Sequence, residues 1–377
     1  MKPLSCLAFA IASILTAAGA AYPQAGVAPA AARGVWIDIS EKVLSGLAAG
    51  QKKIGYPGKT AGIAVDRITG DVFMIVPDQG IWKSIDRGET FARIDGGKIG
   101  GRCETGFALN FDPNGKRLAC FMLDGPSAYT LDGGKTWAAM QGNGRGWDSG
   151  SVDWSAEKPA DIFALRHESG GEIYTSDSIG KSWQFQGKAF ASVGILDAKT
   201  FVATKEKEKG ILRSTDGGKT WNKVSDLQPG GRDIRIFRGI AYWASAQGLL
   251  TSSDKGRTWA VLGKPVDCSY GPYFGKDPRP SNKMGTGSEP VGARNGEPGG
   301  REVPVPILLD GLKHIVVVGK KGFFETTDAG QTWDQVAPLP PQFAVAMPGW
   351  FLNFGWDPNA NIFYASCMGK PAYKYQR

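Results

Sequence analysis

Ser214-Thr215-Asp216-Gly217-Gly218-Lys219-Thr220-Trp221 is the stretch from which the fold of this chain can be read. Asp and hydroxyl side chains bond nearby backbone N–H groups, Gly accepts φ > 0, and an aromatic side chain starts the next strand by entering the core. In this order the residues spell a tight turn between two strands. The same order returns as Ser84 to Phe91 (SIDRGETF), Thr130 to Trp137 (TLDGGKTW), Ser252 to Trp259 (SSDKGRTW) and Thr326 to Trp333 (TTDAGQTW). Ser176 to Trp183 (SDSIGKSW) is a degenerate copy, with Ser178 where the Asp belongs.

The third positions of the six copies fall at 86, 132, 178, 216, 254 and 328, so the intervals are 46, 46, 38, 38 and 74. Near-regular self-similarity of this period marks a repeat architecture. The long interval carries about 36 additional residues, a Pro/Gly-rich segment over 264–304. It reads as a loop insertion rather than a hidden unit, because Gly and Pro at that density make a poor four-stranded sheet. Before the boxes lie alternating apolar strand pairs, such as Asp71 to Trp82 (DVFMIVPDQGIW), Thr200 to Leu212 (TFVATKEKEKGIL) and His314 to Phe324 (HIVVVGKKGFF).

The six copies resemble the Asp-box, or BNR, repeat S-x-D-x-G-x-T-W. That family is one of β-propellers and includes sialidases, other glycosidases and lyases, sortilin-type receptors and a photosystem assembly factor. The resemblance implies an all-β chain forming a single β-propeller over 35–377, most simply of seven four-stranded blades. Phe354 to Tyr375 repeats the strand pattern without a box and is one strand short. Gly34-Val35-Trp36-Ile37-Asp38-Ile39 near the N-terminus can supply that strand, and closure removes the free sheet edges.

Composition agrees with this class. Of 377 residues 53 are Gly and 23 Pro, about a fifth together, and 42% are hydrophobic. That apolar content excludes a disordered chain, and glycines so frequent exclude a long-helix protein. The net charge of +8 is mild and has meaning only once located. Lys2, the apolar run Leu4 to Ala17 and the small residues Ala18-Gly19-Ala20 read as a cleavable signal peptide over 1–20, followed by a loose segment over 21–34. The expected location is therefore secreted or periplasmic, with no membrane insertion after cleavage. Cys6 would leave with the leader; Cys103, Cys120, Cys268 and Cys367 remain, without a C-x-x-C pair, and their pairing stays open.

In the family the box turns lie on one face of the disc and ligands bind on the opposite face. By that implication the box residues are structural, including the indoles of Trp137, Trp183, Trp221, Trp259 and Trp333. The opposite face receives the loops between the second and third strands of each blade and the loops between blades. It would collect Arg102, Arg145, Arg166, Lys205, Arg232, Arg235 and Lys320, a set of cations suited to a carboxylate-bearing or sulfated glycan. Trp147, Tyr270, Tyr273 and Trp350 are the aromatics outside the boxes that would stack on sugar rings or pin their loops.

A sialidase proper is disfavoured. Its early F/Y-R-I-P motif is missing, and the nearest match, Ala92-Arg93-Ile94, directly follows a box. A hydrolase would need two facing carboxylates, for which Glu104, Asp148 and Glu168 are the candidates. A lyase acting on uronates would need a cation for the substrate carboxylate and a proton-moving His or Tyr, met by Arg166 and His167 with Tyr270 or Tyr273. His314, the other histidine, begins a strand at the opposite end and reads as structural. No metal-ligand motif, phosphate loop or nucleic-acid signature is present, so no cofactor and no nucleic-acid partner are expected. The competing reading is a non-catalytic propeller that binds a glycan or docks on a protein. Oligomeric state is left open.

Overall fold

Short apolar runs separated by Gly- and Asp-bearing turns fold into hairpins, and the hairpins join into seven four-stranded antiparallel sheets. The computed structural model describes residues 34–103, 108–141, 146–155, 162–205, 208–245, 248–264, 305–310, 313–319, 322–341, 343 and 352–377. The expected leader and nearly all of the 264–304 insertion fall outside these.

The first blade comprises Ile63–Val65, Val72–Ile75, Ile81–Ser84 and Ala92–Arg93. The second comprises Leu109–Phe111, Leu118–Cys120, Ala128–Thr130 and Ala138–Ala139, and the third Trp147–Val152, Ile162–Arg166, Ile173–Ser176 and Gln184–Gly187. Phe190–Ile195, Phe201–Lys205, Glu208–Ser214 and Asn222–Ser225 make the fourth; Pro229–Phe237, Ile240–Ser245, Gly248–Ser252 and Ala260–Leu262 make the fifth. The sixth is Val305–Asp310, His314–Gly319, Gly322–Thr326 and Asp334–Ala337. Leu352–Asp357, Ile362–Cys367 and Tyr373–Gln376 begin the seventh, and Trp36–Asp38 completes it, pairing antiparallel with Trp36 opposite Tyr375. The seven-bladed propeller closed by an N-terminal strand is thus the observed architecture, and seven blades are complete without the insertion.

Each box joins the third strand of its blade to the fourth. In the fourth blade, Asp216 Oδ1 accepts from the Ser214 hydroxyl at 2.7 Å and the Thr220 N–H at 2.9 Å, while Oδ2 accepts from the Thr220 hydroxyl at 2.6 Å. The Ser214 hydroxyl in turn accepts from Gly218 N–H at 2.9 Å. In the third blade a neutral hydroxyl replaces the carboxylate: Ser178 meets the Ser182 and Ser176 hydroxyls at 3.0 and 3.3 Å. The second box glycine has two reasons to be glycine. Gly134 sits at φ +88°, and a Cβ there would lie 2.4 Å from Ile94 Cδ1 of the first blade.

The core lies between blades as a series of face-to-face contacts. Phe73 meets Phe111 at 5.4 Å, Phe163 meets Phe201 at 5.5 Å, and Phe323 stacks on Phe363 at 4.8 Å, each pair bridging two successive blades. Gly150, on the innermost strand of the third blade, lets that strand approach the second; an added Cβ would stand 2.1 Å from the Phe121 ring. Of the box indoles only Trp137 is buried. Trp183, Trp221, Trp259 and Trp333 are half-buried, because each opens an outermost strand with one side toward water.

One element was not read from the sequence: the helix Glu41–Ala49, which buries Val43 and Leu47 against the first and seventh blades. Asp38 Oδ1 accepts from Ser40 N–H at 2.8 Å and Glu41 N–H at 3.1 Å and so fixes its start. Among the described residues no helix is long and apolar enough to cross a membrane.

These contacts can be tested by stability measurements. The Thr220 hydroxyl foremost, then its N–H and the Ser214 hydroxyl, hold the Asp216 carboxyl down at about 2, and the matching Thr332 and Thr326 groups hold Asp328 at about 2. A folded value below the ordinary 3.8 means stability that is complete above that pH and lost as pH falls toward about 2. The melting temperature should stay level on acidification to about pH 5 and then fall between about pH 4 and 2. By analogy with other backbone-capping side chains, Asp86→Ala should cost about 1 kcal/mol and Ser178→Asp should raise the melting temperature. Gly150→Ala should destabilise by about 1–3 kcal/mol through overpacking, read by denaturant unfolding.

Candidate functional site

Antiparallel pairing puts the boxes and the first turn of every blade at one end of the ring, and the second-to-third-strand loops and inter-blade loops at the other. On the loop end the second and third blades meet through backbone bonds. Arg102 and Leu123 exchange N–H···O bonds at 3.1 and 2.8 Å, Trp147 N–H donates to Met122 O at 3.2 Å, and His167 N–H donates to Gly146 O at 2.9 Å.

The third blade brings two expected residues together. Asp148 follows the start of its innermost strand and His167 follows the end of its second strand, and His167 Nδ1 lies 2.5 Å from Asp148 Oδ1. Asp148 is buried, and His167 keeps about a quarter of its side-chain surface. A carboxylate accepts, so it holds the imidazole proton on Nδ1 and leaves Nε2 as the acceptor. Glu168 Oε1 stands 3.7 Å from that Nε2 and is largely exposed, so the imidazole sits between two carboxylates. Such an arrangement can take a proton at Nε2 and stabilise the imidazolium that results.

Arg166 does not join them. It precedes His167 on an extended backbone, where neighbouring side chains point to opposite sides. Its Nη1 meets the Tyr174 hydroxyl at 2.9 Å and Glu172 Oε2 at 3.3 Å. Glu172 also pairs with Lys188 at 2.9 Å. The Lys188 and Tyr174 hydrogen bonds hold its carboxyl below the usual range. Arg166, Glu168, Ser169, Glu172 and Lys188 line a recess of about 390 Å³. Other expected cations also carry acidic partners: Arg102 is bridged to Asp124, with Tyr56 beneath its guanidinium, and Lys205 lies 3.3 Å from Glu208.

Trp147 is not a sugar platform. It is 2% exposed, and its ring packs 4.6 Å from Trp183 and 5.7 Å from Tyr174, because the residue opens an innermost strand inside the blade stack. His314 pairs with Glu325 at 2.9 Å, and Arg377 grips the same carboxylate, a structural knot. Glu104, Arg145, Tyr270, Tyr273, Lys320 and Trp350 lie outside the described residues, and of Arg232 only the backbone on the innermost strand of the fifth blade is described. Among the described residues no cluster of His, Cys, Asp and Glu is placed to hold a metal ion, and Cys103, Cys120 and Cys367 are buried thiols.

Sequence reading missed a concavity at the other end. The innermost strands of the first, second, third, fifth and seventh blades line a cavity of about 170 Å³ at the box end of the central channel. Arg67, Asn110, Trp154, Arg235, Phe237 and Trp356 contribute to its wall. A signal for it was present: Val65-Asp66, Phe111-Asp112, Val152-Asp153 and Trp356-Asp357 each end an innermost strand on a buried Asp, and the residues beside them reach the channel.

The BNR/Asp-box repeat family model matches residues 212–223, the end of the third strand, the box and the start of the fourth strand of the fourth blade. A xyloglucanase from Paenibacillus sp is 30% identical over 151 residues, which cover 38% of this chain and 13% of that protein. A xyloglucanase from Acetivibrio thermocellus is 31% identical over 155 residues, 40% of this chain and 16% of the relative. The matched part is thus a small fraction of either relative. The extracellular domain of a hybrid two-component system from B. thetaiotaomicron superposes with a TM-score of 0.51 at 7% identity, over 91% of this chain and 40% of that one, a likeness of fold alone. With six boxes, each between the third and fourth strands of a blade in a ring of seven, the chain is an Asp-box β-propeller.

Proposed function

We propose that this chain is an exported carbohydrate-active propeller that cleaves glycosidic bonds on its loop face, with His167 and Asp148 as the working pair. The observation that carries the reading is the 2.5 Å contact between His167 Nδ1 and Asp148 Oδ1 at a half-exposed position. The partial similarity to two xyloglucanases supports a glycan as substrate.

The pair suits an acidic glycan best. With its Nδ1 proton held by Asp148, His167 Nε2 takes the proton from the carbon bearing the uronate carboxylate; the carbon–hydrogen electron pair forms the new double bond, and the glycosidic oxygen leaves with its electrons and receives the proton back from the imidazolium. A cation must neutralise the uronate carboxylate as that charge develops, the role proposed for Arg102 or Lys205 when a substrate displaces their present partners. Hydrolysis would instead use Asp148 and Glu168 about the same imidazole, one as acid and one as base. A binding module is the second reading, favoured by the carboxylates already paired with Arg102, Arg166 and Lys205.

The full chain should be incubated with xyloglucan and with uronate-containing polysaccharides. Lyase action yields the ultraviolet-absorbing unsaturated uronate, hydrolysis yields reducing ends without it, and His167→Ala should slow either by about 10²–10⁴-fold. Asp148→Asn should slow it too, by letting the imidazole take the wrong tautomer. No product from any polymer, with saturable binding that His167→Ala leaves unchanged, would replace cleavage by the binding reading.

A further inference from the structure

We infer that the box end of the central channel is a separate binding site for one small carboxylate-bearing molecule, of the size of a single uronate residue. The inference goes beyond the loop-face reading and does not need it, since the two sites lie at opposite ends of the ring.

Three observations converge on the cavity. The first is its size. At about 170 Å³ it is well below the roughly 300–1,000 Å³ of pockets for drug-sized ligands, so it admits a single ring or a short chain. The second is the make-up of its wall. Arg67 and Arg235 line it with Trp154, Phe237 and Trp356, and the Arg67 guanidinium carbon stands 4.5 Å from the Phe237 ring centroid. A guanidinium laid over a ring directs its N–H fork in its own plane, away from the ring face, which is the geometry that receives a carboxylate. Aromatic faces beside that fork suit the apolar face of a sugar.

The third is an unsatisfied donor. The buried Trp356 Nε1 has no hydrogen-bond acceptor among the described residues, although Trp356 belongs to the wall. By contrast, Trp154 Nε1 donates to Asn110 Oδ1 at 2.7 Å, and Asn110 Nδ2 donates to Gly150 O at 2.9 Å. A buried donor without an acceptor is costly, and an acceptor brought by a ligand removes the cost. The innermost strand of every blade is also an edge strand, so the channel is walled by sheet edges whose backbone polar groups turn toward it. Those edges present N–H and C=O groups alike, so the bias toward an acceptor-rich guest comes from the guanidinium and indole side chains. Asp112 also lines the wall but is paired with Arg117, so Arg67 and Arg235 tip the choice toward a negative guest.

The test is titration of the full chain with glucuronate, glucose and acetate, followed by tryptophan fluorescence and by the shift in melting temperature. Glucuronate should bind saturably and raise the melting temperature, with glucose at least about tenfold weaker and acetate weaker than glucuronate. Arg67→Ala should weaken glucuronate about tenfold or more. Trp356→Phe keeps a ring, removes the N–H and should weaken it several-fold. Both variants must melt cooperatively near the parent temperature; if Arg67→Ala does not, Arg67→Lys and Trp356→Phe decide. His167→Ala should bind glucuronate as the parent does, which separates this site from the loop face. Equal affinity for glucose and glucuronate, no saturable binding of glucuronate, or loss of binding in His167→Ala with retention in Trp356→Phe and both Arg67 variants would each overturn the proposal.

Discussion

Three residues hold the ring shut. Trp36–Asp38 arrive from the N-terminal side and pair with Tyr373–Gln376, so the last blade takes its outermost strand from the other end of the chain. A propeller whose blades each cover the next has one seam, and a seam of local sequence would leave a sheet edge open. Here the seam joins residues more than three hundred positions apart, and it is held by more than the ladder. Trp36 packs 5.1 Å from Tyr375 and 5.4 Å from Phe323 and donates from Nε1 to Pro338 O at 2.8 Å, tying the seventh blade to the sixth. On the first-blade side, Arg87 Nε meets the buried Asp357 Oδ2 at 2.8 Å. The innermost strands stay at fixed places around the channel because the ring cannot open without breaking these contacts together.

Two sets of aspartates build the turns, and they differ in what they touch. The box carboxylates bond within their own turn and stay near solvent. The carboxylates that end the innermost strands are buried and reach further: Asp66 Oδ1 takes Ile68 N–H at 2.9 Å, while Oδ2 takes Lys116 N–H of the second blade at 3.1 Å. Asp112 binds Arg117, which donates on to Trp154 O of the third blade at 2.6 Å. The first set stabilises hairpins and the second stitches hairpins to their neighbours.

That difference explains what the sequence made legible. A local device writes itself as a contiguous pattern, so the boxes announced six blades and their order, and the alternating apolar strands of Phe354 to Tyr375 and Gly34 to Ile39 announced the seventh and its borrowed strand. The inter-blade stitch is a single Asp at the end of an innermost strand, as at Asp66, Asp112 and Asp357, with its cross-blade contact far away in sequence, and a single recurring letter has no contiguous pattern to recognise. The site followed the same rule. His167 and Asp148 were legible as ionisable groups on one face, but their 2.5 Å contact depends on pairing between two strands of one blade. Arg166 was assigned beside them by adjacency in sequence, and extended backbone turned it away. Trp147 was assigned to the surface because it lies outside a box, whereas the start of an innermost strand is among the most enclosed positions in the ring.

The channel cavity carries this logic one step further. The residue after each strand-ending Asp begins the first turn of its blade and occupies an equivalent place in the ring. In three blades it is Arg67 after Asp66, Pro113 after Asp112 and Trp154 after Asp153, and all three line the cavity, whereas Pro358 after Asp357 does not belong to the lining. The repeated Asp fixes the backbone, and the neighbour is left free to differ without loss of the turn. A guanidinium from one blade, a proline ring from the next and an indole from the third thus meet at one concavity, although no stretch of sequence contains them together. In a repeat protein of this kind the scaffold is written in the letters that recur. The chemistry is written in the letters beside them that do not.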